Sequence, residues 1–322
     1  MSLVSLEAIR AAAQRIASIA RRTPIIDVSA SAERPLLLKC EAQQPGGAFK
    51  IRGATNMMMR LPADALTRGV VTYSSGNHGQ AVALAASRLG AHAVIVMPTT
   101  APAIKIAGVK RWAGEVILEG TTSADRLARA KAEAAARGLT MVPPFDHEWI
   151  IEGQGTCGLE ILEQVADADV VVVPVGGGGL VSGVAAAIKL SRPSVLVIGV
   201  EPVGAAKMTA SLAAGHPVTL AKTASIADGL MPVRPGDLTF EHVKAFVDKI
   251  VTVDDATIAR AALWVFEEAK QVVEPSGAAT VAAVLWPGAD SPLADRTKKV
   301  VAILSGGNVA PETLAGLRER TA

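Results

Sequence analysis

One lysine in the sequence has neighbours that could make its amine reactive. Lys50 follows Phe49 and precedes a Gly-containing turn in the segment Ala48-Phe49-Lys50-Ile51-Arg52-Gly53-Ala54. Partial burial lowers the pKa of a lysine and frees its amine to form a Schiff base with an aldehyde. Taken alone, such a residue is more often an ordinary surface lysine. Other segments of the chain must therefore decide whether Lys50 is reactive.

Three polar or glycine-rich turns follow predicted strands. The turn from Ser74 to Gln80 offers hydroxyls, an amide and N–H groups at a helix start, which suit a carboxylate, although a simple capping turn explains it equally well. The four glycines from Gly176 to Gly179, followed by Leu180, let backbone N–H groups converge on a phosphate. The third turn, Leu304 to Asn308, follows the last strand.

The glycine run invites comparison with nucleotide-binding motifs. Glu201 ends the next strand, where a ribose-binding acid would lie, which favours a nicotinamide-dependent Rossmann oxidoreductase or a nucleotide-binding module. However, the usual G-x-G-x-x-G spacing would need glycine at Val181 or Ser182, and no Walker lysine follows. No His-x-x-x-His pair is present, and Asp146-His147-Glu148 suits a solvated loop, so we expect no catalytic metal.

One cofactor uses an aldehyde for a lysine, a phosphate for a backbone cradle and a ring that needs neutral partners, namely pyridoxal phosphate. The chain resembles the fold type II pyridoxal-phosphate family, which includes threonine/serine dehydratases and serine racemase, over nearly its whole length. Besides the segments above, the resemblance rests on Gly153-Gln154-Gly155-Thr156, Ile226-Ala227-Asp228-Gly229, Glu274-Pro275-Ser276-Gly277-Ala278 and Ser305-Gly306-Gly307-Asn308.

The resemblance implies a role for each matching residue. Lys50 would be the Schiff-base lysine and would remove the substrate Cα proton, and Ser75 would be a second catalytic residue. The cofactor would be held by Phe49, Lys50, Asn77, Gly176, Gly177, Gly178, Gly179, Leu180 and Ser305, with Asn77 at the pyridine hydroxyl and Ser305 near the pyridine nitrogen. The substrate carboxylate would be bound by Ser74, Ser75, Asn77 and His78.

The resemblance predicts a dehydratase that turns L-threonine or L-serine into a 2-oxo acid and ammonia. A neutral serine at the ring nitrogen favours prompt elimination over a long-lived carbanion. Phe145 resembles the dehydratases, since mammalian serine racemase has asparagine there. Ser75 keeps an amino-acid racemase open, because the matching serine of serine racemase is the acid/base opposite the lysine. A hydroxyaspartate or phenylserine dehydratase would share every motif.

Two effector sites of the racemases match poorly. Glu201 and Ala205 match two positions of the divalent-cation site, but Lys207 stands where the third, an aspartate, is expected. An ammonium in place of a ligand argues against that site. Pro45 and Gly46 replace a Lys-Thr pair in the ATP-binding region of mammalian serine racemase, so activation by ATP is not expected.

The elements that must position these residues follow an alternating pattern of strands and helices. Apolar strands at 36–39, 70–73, 93–97, 115–118, 170–173, 195–200, 250–253 and 300–304 indicate an α/β protein with two open twisted, mostly parallel sheets flanked by helices. By resemblance this is a tryptophan-synthase-β-like arrangement with the cofactor in the crevice between lobes. We expect residues 1–60 plus 147–322 to form a large domain, 61–146 a small mobile domain, and no C-terminal regulatory domain.

Composition bounds the partners. With 32 Lys and Arg against 30 Asp and Glu, the net charge of +2 gives no reason to expect nucleic acid or a membrane surface. The two cysteines, Cys40 and Cys157, lack metal-ligand spacing and suit a reducing compartment. We therefore expect a cytoplasmic enzyme acting on a small amino-acid substrate, and the resemblance suggests a homodimer.

Overall fold

The computed structural model describes residues 2–320. Within that range strands and helices alternate along most of the chain, as an α/β protein requires. The strands are β1 Ile25–Asp27, β2 Leu36–Lys39, β3 Val70–Tyr73, β4 Ala93–Met97, β5 Glu115–Leu118, β6 Thr140–Met141, β7 Val170–Pro174, β8 Leu196–Pro202, β9 Lys249–Val253 and β10 Val300–Ile303.

Helices connect most of these strands, and short 3-10 turns lie at Glu41–Gln43, Val203–Ala205, Asp228–Leu230 and Arg318–Arg320. The α-helices of the described range are α1 Leu6–Ile16, α2 Ser29–Ala32, α3 Lys50–Met58, α4 Ala63–Arg68, α5 Asn77–Leu89, α6 Ala103–Lys110, α7 Ser123–Arg137, α8 Glu148–Gln164, α9 Gly179–Ser191, α10 Lys207–Ala214, α11 Asp237–Phe246, α12 Asp255–Glu268, α13 Pro275–Leu285 and α14 Pro311–Leu317.

The larger sheet has six strands in the order β1-β2-β10-β7-β8-β9. Every neighbouring pair is parallel except β1 and β2. Its central strands β7 and β10 are buried along their whole length. Val170 and Val172 face a core shared with α12 and α13, whereas Val171 and Val173 face a core shared with α8, α9 and α11. Helices on both faces explain why these strands are apolar throughout.

The smaller sheet has four parallel strands in the order β5-β4-β3-β6. Ile95 packs on one face with side chains from α3 and α5, and Val94 packs on the other face with Ala130 of α7. Two mostly parallel sheets flanked by helices are the arrangement predicted from the sequence. The predicted fold class is confirmed.

Most predicted elements are present, and the differences have local causes. Strands β1 and β6 were not predicted, because three and two residues are too short to show a hydrophobic pattern. The apolar pattern predicts a helix from Ala81 to Leu89, but helix α5 begins at Asn77, because the polar turn itself forms the first helical turn. The apolar pattern that starts at Ile9 predicts a helix that reaches Ala20, but helix α1 ends at Ile16.

The chain enters the larger sheet, leaves it for the smaller sheet and then returns. Strands β1 and β2 precede the segment 70–141 that contains the smaller sheet, and β7 to β10 follow it. Helix α3, which begins at Lys50, packs against α5 through Ile51 and Met58. The boundaries at residues 60 and 146 and the mobility of the small domain stay predictions. No helix among residues 2–320 has the length and apolar character to cross a bilayer.

Candidate active site

Four loops carry the predicted site residues, and each follows a parallel strand. They connect β2 to α3, β3 to α5 and β7 to α9, and the fourth leaves β10. The carboxyl ends of parallel strands are where open α/β sheets bind ligands. The contacts described below join three of these loops directly, and the glycine turn is linked to Lys50 through Pro144 and Phe145.

Lys50 is the first residue of α3, and its side chain is partly buried. Its Nζ donates a hydrogen bond to the Pro144 carbonyl over 2.6 Å and lies 5.2 Å from the centre of the Phe49 ring. No carboxylate of the described residues forms an ion pair with it. Burial lowers the pKa of Lys50 to about 8, because the ammonium form loses hydration that nothing charged replaces. A substantial fraction of the amine is therefore neutral near physiological pH.

The segment before Lys50 is fixed to the turn after β10. Ala48 forms an antiparallel bridge with Gly306, and the Phe49 N–H donates to the Ser305 carbonyl over 3.1 Å. Ser305 is buried, and its hydroxyl has no hydrogen-bond partner within residues 2–320. A hydroxyl without a partner, on a residue held beside Lys50 by two backbone contacts, is available to a ligand.

The glycine turn leads directly into α9. Gly178 has a φ of +102°, a left-handed conformation that favours glycine, and the helix begins at the next residue. A Cβ added to Gly177 would overlap the ring of Phe145, so a side chain has no room there. The Gly177 carbonyl accepts from the Thr239 hydroxyl over 2.7 Å. Leu180 is buried and packs in the core beneath the turn. The first N–H groups of α9 have no acceptor within the helix and can therefore donate to a ligand.

Asn77 is held by two residues that received no role in the sequence analysis. Its Nδ2 donates to Glu274 Oε1 over 2.6 Å, and its Oδ1 accepts from Asn308 Nδ2 over 2.9 Å. Asn308 Nδ2 also donates to the Gly46 carbonyl. Burial, with the nearby Asp228 carboxylate, raises the pKa of Glu274 to about 7. The only sequence signal for these partners was their place in Glu274-Pro275-Ser276-Gly277 and Ser305-Gly306-Gly307-Asn308.

The polar turn before α5 gives its three remaining residues different surroundings. Ser74 is buried, and its Oγ accepts from the Gly76 N–H over 3.0 Å. Ser75 is exposed, and its hydroxyl has no hydrogen-bond partner in the described range. His78 is buried, and its Nε2 lies 3.1 Å from the Val142 carbonyl. These side chains therefore do not form one preassembled cluster.

His78 is a neutral histidine. Burial, with the charge of Lys50, lowers its pKa to about 3, so the ring carries no charge at physiological pH. A neutral imidazole with Nε2–H directed to the Val142 carbonyl cannot act as a cationic partner for a carboxylate. The backbone N–H of His78, in the first turn of α5, remains the group that it can offer.

A lysine that the sequence analysis missed lies beside the same turn. Lys105 of α6 is buried, and a Cβ on Gly76 would lie 2.8 Å from its Cδ. Its Nζ forms an ion pair with Asp228, which follows β8 on the side of the larger sheet. The pair joins the two sheets next to the candidate carboxylate site. An apolar segment such as Ala103-Ile104-Lys105-Ile106 gave no hint of this position.

Glu201 does not have the surroundings of a ribose-binding acid. It is fully buried, and its carboxylate accepts from the backbone N–H groups of Met208 and Thr209 over 2.9 and 2.8 Å. A carboxylate that is already bound by its own chain is not free to bind a ribose hydroxyl. The structural support for the nucleotide alternatives is thereby lost.

Comparison with known proteins identifies the family. A model of the family described as pyridoxal-phosphate dependent enzyme matches residues 16–306. The chain belongs to this family. The predicted resemblance and cofactor are both confirmed.

The individual relatives are named for two different activities. A serine racemase of Oryza sativa subsp. indica is 44% identical over 308 residues, which cover 94% of this chain and 91% of the relative. An L-threonine ammonia-lyase of Thermotoga maritima is 43% identical over 310 residues, covering 95% and 76%. The protein is thus an enzyme of the pyridoxal-phosphate family that contains serine racemases and threonine ammonia-lyases.

Solved structures agree with this assignment. The structure of maize serine racemase superposes with a TM-score of 0.93 and 41% identity, covering 99% of this chain and 98% of that one. The processed threonine deaminase isoform 2 of Solanum lycopersicum gives a TM-score of 0.92 and 37% identity, covering 98% and 93%. The likeness in fold is therefore equally strong for the racemase and the deaminase.

The residues present fit pyridoxal phosphate. Lys50 has a depressed pKa and can supply a neutral amine to an aldehyde. The glycine turn leaves N–H donors for a phosphate, where a Cβ on Gly177 would collide with Phe145. Ser305 has a hydroxyl without a partner among the described residues that could bind a ring atom, and Glu274 fixes the orientation of the Asn77 amide. The assignment of each residue to a part of the cofactor stays a prediction.

Proposed function

We propose that the protein is a dehydratase that converts L-threonine or L-serine into a 2-oxo acid and ammonia. The observation that carries this proposal is the contrast between Lys50 and Ser75. Lys50 is held by Pro144 with its pKa lowered to about 8, whereas Ser75 is exposed and has no partner that would activate its hydroxyl. Elimination needs one base at Cα, whereas racemisation needs a second acid/base on the opposite face.

Lys50 is the proposed base. When bound, pyridoxal phosphate supplies a conjugated ring that withdraws electrons from the substrate Cα. The neutral amine of Lys50 takes the Cα proton, and the Pro144 carbonyl directs the amine through its hydrogen bond. The Cα–H and Cβ–O bonds break, the β-hydroxyl leaves as water, and the proton that Lys50 removed from Cα is the one that this water gains overall. Hydrolysis of the released enamine then gives the 2-oxo acid and ammonia.

The turn before α5 is the proposed carboxylate site. N–H groups in the first turn of α5 have no acceptor within the helix, and the positive end of the helix dipole favours an anion. Lys105 adds a cation beside Gly76, and Asp228 balances its charge while no substrate is present. A carboxylate held there would fix the orientation of the Cα–H bond relative to Lys50.

Phe145 supports elimination as well. Its ring lies against Gly177 and its backbone against Gly179, one residue after the carbonyl that binds Lys50. An apolar ring at this position offers no polar group that could stabilise a long-lived carbanion or return a proton. In sequence it matches the dehydratases of the family.

A racemase is the second candidate, and two observations favour it. Serine racemases of rice and Arabidopsis thaliana are among the most similar relatives, at 44% and 42% identity. Ser75 is also present where serine racemase uses a serine. Racemase activity would require Ser75 to become shielded from water when substrate binds.

A coupled 2-oxo acid assay with both enantiomers of serine, threonine and 3-hydroxyaspartate tests the proposal. We expect product from L-threonine and L-serine, and we expect Ser75→Ala to retain elimination within several-fold, on the order of 1 kcal/mol in activation free energy. Chiral analysis in deuterated water is the parallel measurement. Inversion that disappears in Ser75→Ala, with little 2-oxo acid from either enzyme, would establish the racemase and overturn the dehydratase.

A further inference from the structure

Lys207 is the first residue of α10 and is completely buried. Its Nζ donates to the carbonyls of Val175, Ala205 and Leu230 over 2.8, 3.1 and 3.1 Å. Glu201 Oε1 lies 3.0 Å away. Three carbonyl oxygens and one carboxylate therefore surround a single ammonium group.

This arrangement resembles the oxygen shell of a bound cation. Backbone carbonyls and carboxylates are the ligands that hard cations take in proteins, and carbonyls can replace the hydration shell of an ion. A lysine ammonium has three N–H donors and a compact charge, which suits three carbonyls. The four oxygens come from three segments of the chain, and without a positive charge the Glu201 carboxylate and the carbonyl oxygens would repel one another.

The segments joined by Lys207 include the candidate cofactor site. Val175 directly precedes Gly176, and Leu230 ends the 3-10 turn that contains Asp228. These two segments also touch directly, since a Cβ on Gly176 would lie 3.0 Å from the Gly229 carbonyl. The ammonium therefore fixes the start of the glycine turn and the segment that forms the ion pair with Lys105.

We propose that Lys207 is a tethered cation, which positions the glycine turn for the cofactor and takes the place of a free metal ion. Lys207 is thus a positioning residue that acts through Val175. The residues do not fit the divalent-cation site of the racemases, because the ammonium lies where the third ligand would be. The inference does not depend on whether the enzyme eliminates or racemises, since its tests measure stability and cofactor affinity.

A pair of variants separates a cation site from an ordinary ion pair. Lys207→Ala removes the ammonium and leaves space for a small cation, whereas Lys207→Met removes the charge but fills the space. Lys222→Met is the control, because Lys222 is exposed and forms no hydrogen bond or ion pair among residues 2–320. The melting temperature of the holoenzyme and the apparent Kd of pyridoxal phosphate are measured in tetramethylammonium chloride, with ammonium, potassium or magnesium chloride added at constant ionic strength.

We expect the wild type and Lys222→Met to show no saturable response to any added cation and no loss after treatment with a chelator. Both Lys207 variants should melt about 10 °C lower and bind pyridoxal phosphate on the order of tenfold more weakly, because Glu201 and the carbonyls lose their counter-charge. Ammonium or potassium should restore Lys207→Ala along a saturation curve and leave Lys207→Met unchanged.

Two results would overturn the proposal. A wild type that loses stability or cofactor affinity on chelation, and regains it with a metal ion, would show that a free ion is still needed. Equal responses of the alanine and methionine variants to added cations would show that the space left by Lys207 holds no ion. The wild-type experiment requires no substitution, so the proposal remains falsifiable if Lys207→Ala does not fold.

Discussion

Two cationic side chains at the start of α3 stand two residues apart and have opposite surroundings. Lys50 contacts a carbonyl and an aromatic ring but no carboxylate. Arg52 is completely buried and binds two carboxylates, Glu41 over 2.7 and 2.8 Å and Glu160 over 2.7 and 2.8 Å. The two side chains share a helix but not an electrostatic environment.

The consequence is opposite chemistry. Burial lowers the pKa of Lys50 because no counter-charge compensates for lost hydration, whereas the Glu41 and Glu160 carboxylates overcome burial and hold the pKa of Arg52 above its usual value. Lys39 extends the Arg52 network through Glu160. The lowered pKa of Lys50 thus comes from burial without a counter-charge, whereas the neighbouring Arg52 keeps its charge because both carboxylate partners are present.

The largest expected effect is the loss of turnover when Lys50 is replaced. Lys50→Ala should lower turnover by roughly 10²–10⁴-fold, because the proposed base is lost. Steady-state formation of 2-oxo acid, together with chiral analysis, measures both candidate activities. Lys110→Ala, at an exposed lysine of α6, is the control and should retain wild-type turnover. Full activity in Lys50→Ala would remove Lys50 from the mechanism.

The second effect is the loss of stability when Arg52 is replaced. Arg52→Met should lower the free energy of unfolding by about 3–5 kcal/mol, because it leaves the buried Glu41 and the neighbouring Glu160 without a counter-charge. Urea denaturation measures the difference. Arg22→Met is the matched control, since the Arg22–Glu163 pair is exposed and should contribute little. Equal stability of the two variants would mean that the Arg52 network does not support the helix.

The smallest effect is the pH dependence of cofactor capture by Lys50, which tests whether the amine lacks a counter-charge. Below the pKa of Lys50 the neutral amine increases about tenfold per pH unit, so the rate of cofactor capture by the apoprotein should rise with pH at that slope. The rate should level off above pH 8, because half of the amine is neutral at its pKa of about 8 and most of it is neutral at higher pH. Stopped-flow absorbance measures this rate, and a lysine peptide corrects for titration of the cofactor. An unperturbed lysine has a pKa of about 10.4, so its rate would still rise about tenfold per pH unit above pH 9. Such a rise would show that Lys50 is not desolvated.

Local sequence patterns predicted Lys50, the glycine turn and Ser305 as site residues, because each lies in a short motif whose residue types are restricted by a turn or a helix start. They also identified the apolar strands of both sheets, since full burial in a parallel sheet leaves a continuous signal. The same patterns could not identify Lys105 or the charge state of His78. An isolated polar residue in a helix looks the same in sequence whether it faces solvent or the active site.

By itself, therefore, the sequence determined the fold class and the family, and it predicted Lys50 as the reactive lysine, through residue types at fixed local spacing. Only the tertiary structure decided the partners: Asn77 meets Glu274 from 197 residues away, and Lys105 meets Asp228 from 123 residues away. Strand order brings these loops together, and no local periodicity records which loops will meet. The tertiary structure also decided the lowered pKa of Lys50, because that pKa depends on burial and on the absence of a neighbouring carboxylate among the described residues.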